Sequence, residues 1–260
     1  MRLRADLHTH TIASGHAFST VTEVAEAARA GDLDLIAITD HGPSVPGGAD
    51  LWYFWNLKVV PSILDGVRIV KGCEANLSPD ACAENGIDIP DAVLELLDIV
   101  AVGFHPLTGF DDKDAGRNTE ALLRVVANPL VDMLTHPGNG EFPIDAERVV
   151  EAAVQHRVVL EINAHSFASS SSRAAHSAAE RHFAELAREA GAVVAIGSDA
   201  HYHLHVGRFD DALSVAEQLG YVEGDILNRS AEAVLEFLLS KRPRPRLDFG
   251  GEWRTGGDAP

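Results

Sequence analysis

Seven apolar runs of strand length recur along this chain, at residues 5–10, 33–39, 67–70, 99–104, 131–134, 158–162 and 192–196. Helical patterns separate them. Thr20-Val21-Thr22-Glu23 reads as a capping box that opens a helix closed by Gly31. Further helical segments are predicted over 92–97, 119–126, 146–155, 173–190, 208–219 and 230–239. Near-continuous apolar strands alternating with amphipathic helices predict an α/β fold whose parallel sheet is covered on its outer face. No glycine-rich dinucleotide turn follows the first strand, so a doubly wound nucleotide-binding sheet is disfavoured.

Almost every run ends in a side chain able to bind a metal. The first ends Asp6-Leu7-His8-Thr9-His10, and strand alternation predicts Asp6, His8 and His10 on one face. Alone, that stretch reads equally as half a metal site or as a polar edge strand. The other runs lead to His41, Glu74, His105, His136 and the pair Asp199/His201, and His16 lies in the loop after the first. A closed barrel brings all its C-terminal strand ends around one mouth, whereas an open sheet spreads them along a ridge. Taken as a set, these residues predict a TIM-like barrel with a metal site at that mouth. Nine side chains exceed what one open ion needs, and three ions suit them best. An imidazole-rich set with few carboxylates favours zinc, with manganese or iron as alternatives. Glu74 is the natural bridge, because a carboxylate offers two oxygens.

The 260 residues are enough for one large domain, predicted over 1–240, with a Pro/Gly-rich, mobile or loosely docked tail over 241–260. No run approaches a membrane span, no signal peptide is evident, and Cys73 and Cys82 are too few for a disulfide framework. A cytoplasmic protein is expected. The net charge of −18 disfavours nucleic acid as a partner and suits a small-molecule enzyme. Oligomeric state is left open.

DLHTH, TDHG, GCEAN, GFH, THPGN, EIN and GSDAH, in that order from about residue 3 to residue 240, make the chain resemble the PHP (polymerase and histidinol phosphatase) superfamily, and within it the stand-alone YcdX-type bacterial phosphatases. The resemblance implies a distorted (β/α)7 barrel, a trinuclear metal site and metal-dependent phosphoester hydrolysis. It also implies a grouping: His8, His10, Glu74 and Asp199 on one ion, Glu74, His105 and His136 on a second, and His16, His41 and His201 on a third. His203 and His205 follow the last motif and read as surface or supporting histidines that could compete for metal.

The expected reaction is phosphatase action on a small phosphomonoester by a metal-bound hydroxide, with Glu74 central to catalysis. Asp6 and Asp40 are candidates to orient ligating imidazoles, and Asp40 also to protonate the leaving oxygen. Asn163 and Arg117 are candidate substrate contacts; Lys58 is another cation, although both cations suit solvated helix faces. Trp52, Tyr53, Phe54 and Trp55 read either as a lid or as buried packing. Cys73 reads as core, and Ser169–Ser172 as a polar loop. Two other enzymes compete with this reading: a nuclease or nucleotide phosphodiesterase, and a binuclear amidohydrolase, for which Lys71 would be the nearest bridging lysine. A non-catalytic metal-binding or regulatory protein is a further alternative.

Overall fold

Apolar runs buried on both sides form the strands of the barrel. In the computed structural model, which describes residues 1–78, 85–110, 113–168, 175, 177–244 and 247, every residue of β1 (Ala5–Thr9) and β2 (Leu35–Ile38) is buried. Between them runs α1 (Val21–Ala30), which turns Val24, Ala25 and Ala28 onto the sheet. Its capping box is present: Thr20 N donates to Glu23 Oε2 at 2.7 Å, and Glu23 N donates to Thr20 Oγ1 at 3.3 Å. The aromatic segment forms a short helix, α2 (Leu51–Asn56), capped by the Asp50 side chain. A two-residue antiparallel strand, β3 (Ile63–Leu64), leads into β4 (Val67–Asn76).

β4 is ten residues long because its buried pattern continues through Lys71-Gly72-Cys73-Glu74 to Asn76. Its first half pairs with β2, Arg68 to Lys71, and its second half with β5 (Ile99–Gly103), Gly72 to Asn76. After α3 (Asp91–Leu94) and β5 come α4 (Ala115–Val126), β6 (Met133–Leu134), α5 (Ala146–His156) and β7 (Val159–Asn163). Then follow α6 (Ala164–Phe167), α7 (Ser177–Glu189), β8 (Val194–Gly197), α8 (Asp210–Gln218) and α9 (Ala231–Lys241). The predicted helix over 173–190 is described only from Ser177; Ser169–Ser172 and Cys82 lie outside the described residues.

The strands are parallel in the order β1-β2-β4-β5-β6-β7-β8, with β3 alone antiparallel. β8 returns to β1 at the C-terminal end, where Asp199 N donates to His8 O at 3.0 Å and His10 N to Ala200 O at 2.9 Å. The arrangement is therefore a nearly closed TIM-like barrel. Near the opposite end of that seam, a side chain does a strand's work. Asn228 Nδ2 donates to Ala5 O (2.7 Å) and Ile196 O (2.9 Å), and Asn228 Oδ1 accepts from Ile196 N at 3.0 Å.

The core has two parts. One lies between the strands and the outer helices and includes Ile36, Ile69, Val100, Leu134 and Leu160. The other is the barrel interior, where Ala5, Leu7, Ala37, Ala101 and Ala195 pack against Val234, Leu235 and Leu238 of α9. The four alanines leave room for α9 to plug the barrel. Beyond α9 the expectation of a mobile or loosely docked tail does not hold for 241–244. Arg244 is buried, with Nη2 2.6 Å from Asp132 Oδ1 and Nη1 donating to Asp98 O at 2.6 Å. Leu247 packs in the inner cluster as well. A buried guanidinium needs such partners, and Asp132 and the Asp98 carbonyl supply them.

Candidate metal centre

Glu74 occupies the eighth position of β4, beside His41 in parallel register, and is fully buried. Its two oxygens face different histidines. Oε1 lies 2.9 Å from His136 Nε2 and 3.2 Å from His105 Nε2. Oε2 lies 2.9 Å from His41 Nδ1, 3.2 Å from His8 Nε2 and 3.5 Å from His10 Nε2. Asp199 Oδ1 completes the second group, 3.3 Å from His10 Nε2 and 3.5 Å from His8 Nε2. His201 Nε2 sits 3.0 Å from His16 Nε2 at the outer edge, and the His16 ring stacks near those of His41 (5.0 Å) and His201 (4.7 Å). All nine sequence-predicted ligand residues thus meet in one basin, which grades from fully buried Glu74 to exposed His16.

The first strand does not alternate as expected. Its register with β2 shifts between Asp6 and Thr9. As a result Leu7 joins the inner apolar cluster while His8, the next residue, faces Glu74. Asp6 is diverted away from the imidazoles. It accepts from Ser198 N (3.2 Å) and His8 N (3.3 Å) through Oδ1 and from Gly207 N (3.0 Å) through Oδ2. Asp6 therefore clamps backbone and orients no ring, contrary to the sequence expectation.

Other groups fix the ring tautomers. Ser14 Oγ donates to Asp40 Oδ1 at 2.6 Å and accepts from His41 N at 3.1 Å, so the His10 Nδ1 at 3.1 Å must be protonated. His201 Nδ1 lies 3.0 Å from the Asp199 carbonyl, which can only accept. His8 Nδ1 lies 2.7 Å from Glu161 Oε1. In each case Nε2 is left to face the basin. Two residues reach it through unusual backbone: His136 (φ 33°) and Asp199 (φ 55°) are left-handed. Such conformations persist where surrounding contacts over-determine them.

The basin's charge pattern suits cation ligands. Burial acts against the charged form of Glu74, but His8, His105 and His41 outweigh it and hold its pKa well below the usual carboxylate range. Burial, then His201 and His41, pushes His10 well below the usual imidazole value. Burial likewise lowers His41 and His201, and with His41 and His201 it takes His16 down to about 4. His8 is the exception: burial lowers it, but the carboxylates of Glu161, Glu74 and Asp199 raise it well above the usual value. Neutral imidazole is the form that binds a metal.

The donor set fits divalent metal. His8 Nε2, His10 Nε2, His41 Nδ1 and Glu74 Oε2 are buried yet make no hydrogen bond, a costly arrangement unless something else occupies their lone pairs. Two ligand atoms about 2.1 Å from one tetrahedral ion lie roughly 3.4 Å apart, close to the 3.2–3.5 Å separations among His8, His10, Glu74 and Asp199.

This geometry agrees with what the chain is similar to. The PHP domain family matches residues 6–219. The chain belongs to the PHP domain family. Over 244 residues it is 46% identical to a relative from Caldanaerobacter subterraneus named as a probable phosphatase, covering 94% of each chain. A Thermoanaerobacter pseudethanolicus relative with the same description is 43% identical over 254 residues, covering 97% of this chain and 99% of its own. Among solved structures, histidinol phosphate phosphatase from Lactococcus lactis, complexed with zinc, L-histidinol and phosphate, superposes with a TM-score of 0.60 at 15% identity. That superposition covers 85% of this chain and 95% of the other. A chain of archaeal ribonuclease P with mature tRNA gives 0.61 at 14% identity, covering 99% of each. These two likenesses concern the fold.

The remaining sequence-predicted residues of this PHP chain lie apart from the basin's open side. Asp40 accepts from Thr11 N (2.7 Å), Thr11 Oγ1 (2.8 Å), Ser14 Oγ (2.6 Å) and Tyr53 OH (2.5 Å). With both oxygens so engaged, Asp40 supports the His10 ring through Ser14. Asn163 caps α6, accepting from Ser166 N at 3.0 Å, and its Nδ2 faces Glu161 Oε2 (3.1 Å) and Asp199 Oδ2 (3.3 Å). It is buried and supports Glu161 and Asp199. Arg117 is exposed on α4 and lines a separate cleft with Phe110, Asp114 and Arg124. Lys58 is also exposed. The aromatic segment splits: Phe54 is buried and Tyr53 reaches Asp40, while Trp52 (73%) and Trp55 (44%) remain exposed. Lys71 donates to Ser62 Oγ at 3.3 Å, three positions before Glu74 on β4, so it does not bridge the basin. Cys73 is fully buried core. The His203 ring packs on Ser19 and His205 is exposed, and neither joins the metal-ligand groups among the described residues.

The supporting roles of Glu161, Ser14 and Tyr53 were not read from the sequence. Glu161 stands in the EIN run and left one signal, a carboxylate inside an otherwise apolar strand, which folding must give partners. Tyr53 showed only as part of the aromatic cluster at 52–55, and Ser14 left no signal.

Proposed function

We propose that this chain is a metal-dependent phosphatase acting on a small phosphomonoester, with divalent transition-metal ions, zinc first, held by His8, His10, His16, His41, Glu74, His105, His136, Asp199 and His201. The observation that carries this reading is the division of Glu74, whose two oxygens face two separate sets of ring nitrogens. A shared carboxylate between two imidazole groups is what adjacent ions require. Bound divalent ions would supply an activated water near neutral pH and neutralise phosphoryl oxygens.

The chain's own residues define the rest. Glu74, Asp199 and the rings at 8 and 10 form the deep wall, and His16 and His201 stand at the solvent side. A phosphoryl group therefore approaches past His16 and His201 toward Glu74. Asp40, Ser14 and Asn163 hold rings and carboxylates in place. The phosphatase relatives support the reaction class, and the zinc, histidinol and phosphate of the Lactococcus structure support a small substrate. The likeness to ribonuclease P carries no argument for RNA against a net charge of −18.

Elemental analysis of protein expressed in metal-replete medium should find about three transition-metal ions per chain. The same protein should release phosphate from a generic phosphomonoester and from a screen of phosphorylated metabolites, and leave a labelled oligonucleotide intact. Protein without metal, or one that cuts the oligonucleotide and spares every monoester, would overturn the proposal.

A further inference from the structure

Glu161 sits in the middle of β7 and is buried. Its carboxylate touches His8, His136 and Asn163. Oε1 lies 2.7 Å from His8 Nδ1. Oε2 accepts from the backbone N of His136 at 2.7 Å and from Asn163 Nδ2 at 3.1 Å, and that same Asn163 nitrogen lies 3.3 Å from Asp199 Oδ2. The neighbouring strand makes room for it. A Cβ at Gly197 would overlap Glu161 Oε1 and come within 2.9 Å of His8 Cβ, so residue 197 must lack a side chain if the carboxylate is to sit there.

These contacts fall on opposite sides of Glu74. His8 faces Glu74 Oε2 and His136 faces Glu74 Oε1. Moreover, His136 is held at φ 33°, a conformation that a non-glycine residue keeps only when something fixes its backbone.

We propose that Glu161 is the positioning residue of the metal centre: one carboxylate sets His8 with Nδ1 protonated and Nε2 bare, and the same carboxylate holds the left-handed backbone of His136. Ligands on both oxygens of Glu74 thus depend on one group that binds no metal itself. The inference rests on the metal reading above. A merely structural carboxylate would affect stability; a positioning carboxylate affects metal affinity on both sides of Glu74 together.

Glu161→Gln tests this, because glutamine keeps the shape but offers one acceptor oxygen where His8 Nδ1–H and the His136 N–H need two. Zinc is titrated into metal-free wild type and variant in competition with a chromophoric chelator, with circular dichroism as the fold control. The expected result is a folded variant whose zinc affinity falls roughly 10- to 100-fold, as for other groups that orient metal-bound histidines, with more than one ion affected. A folded variant that binds zinc as tightly as wild type overturns the inference and leaves the metal reading intact. Wild-type protein that takes up no zinc overturns both. Should the variant not fold, ¹⁵N spectra of histidine-labelled, zinc-loaded wild type decide. His8 with a protonated Nδ1 and an unprotonated, zinc-bound Nε2 supports the assignment, and the opposite tautomer overturns it.

Discussion

Ser14 gives its one hydroxyl proton to Asp40, 2.6 Å away, and so presents only lone pairs to the His10 ring. A serine on a short turn after β1 thereby decides which nitrogen of His10 points at Glu74. Ser14→Ala removes that decision without removing a ligand. Zinc affinity should fall roughly 10-fold, the lower end for loss of a ligand-orienting contact. Chelator competition at constant pH would show it, and unchanged affinity would mean that packing alone orients His10.

Glu74→Gln takes away one of the two oxygens that face separate histidine groups. Phosphatase activity should drop to background and metal content should fall by at least one ion per chain, with the far-ultraviolet circular dichroism unchanged. Activity close to wild type would exclude Glu74 as the shared ligand.

The pH response follows from the His16 ring, whose pKa burial and its histidine neighbours take to about 4. Its folded value lies below its unfolded value of about 6.5, so between those limits the unfolded chain binds more protons. This ring therefore contributes stability that is lost as pH falls from about 6.5 to about 4. His8 has the opposite sign: its raised folded pKa gives stability that is present below the unfolded value and is lost as pH rises through the folded one. In metal-free protein, a histidine-resolved NMR titration should place the His16 midpoint near pH 4. A midpoint near the ordinary imidazole value of about 6.5 would contradict the depressed value.

At the other end of the barrel, Asn228→Ala would strip three hydrogen bonds from the seam between β1 and β8. Buried backbone groups left without partners cost about 1–3 kcal/mol each, so a loss of at least about 3 kcal/mol is expected in urea denaturation. A change below about 0.5 kcal/mol, the range of ordinary surface substitutions, would mean that water or strand movement replaces the amide.

Arg244→Met breaks the buried pair with Asp132 and leaves that carboxylate with Lys241 and Arg242 at 3.9 Å each. Losing one partner of a buried ion pair costs about 3–5 kcal/mol. The thermal midpoint should drop while metal content per folded chain stays at the wild-type value. Metal loss in the folded variant would show that the two ends of the barrel communicate.

The barrel and the meeting of its strand-end histidines and carboxylates were legible because the strands are short, apolar and punctuated by those residues at their ends. Residue type carries that information. The supporting layer was legible only in part, since it depends on where the chain bends. The register shift in β1 turns Leu7 and His8 to the interior and Asp6 away from the rings, against simple alternation. Asn163 matched the expected mouth position, yet its amide is consumed by α6, Glu161 and Asp199. Asn228 reads as an ordinary polar residue in a loop; its role exists only once β1 and β8, more than 180 positions apart in the chain, meet around it.

The plugged interior has a practical corollary. Because α9 and Arg244 tie the described end of the chain to the face opposite the histidines, a dye or surface linker attached near residue 241 would sit at the far end of the strands from the mouth of the histidine basin. One attached in the loop after β1, beside exposed His16, would stand across it.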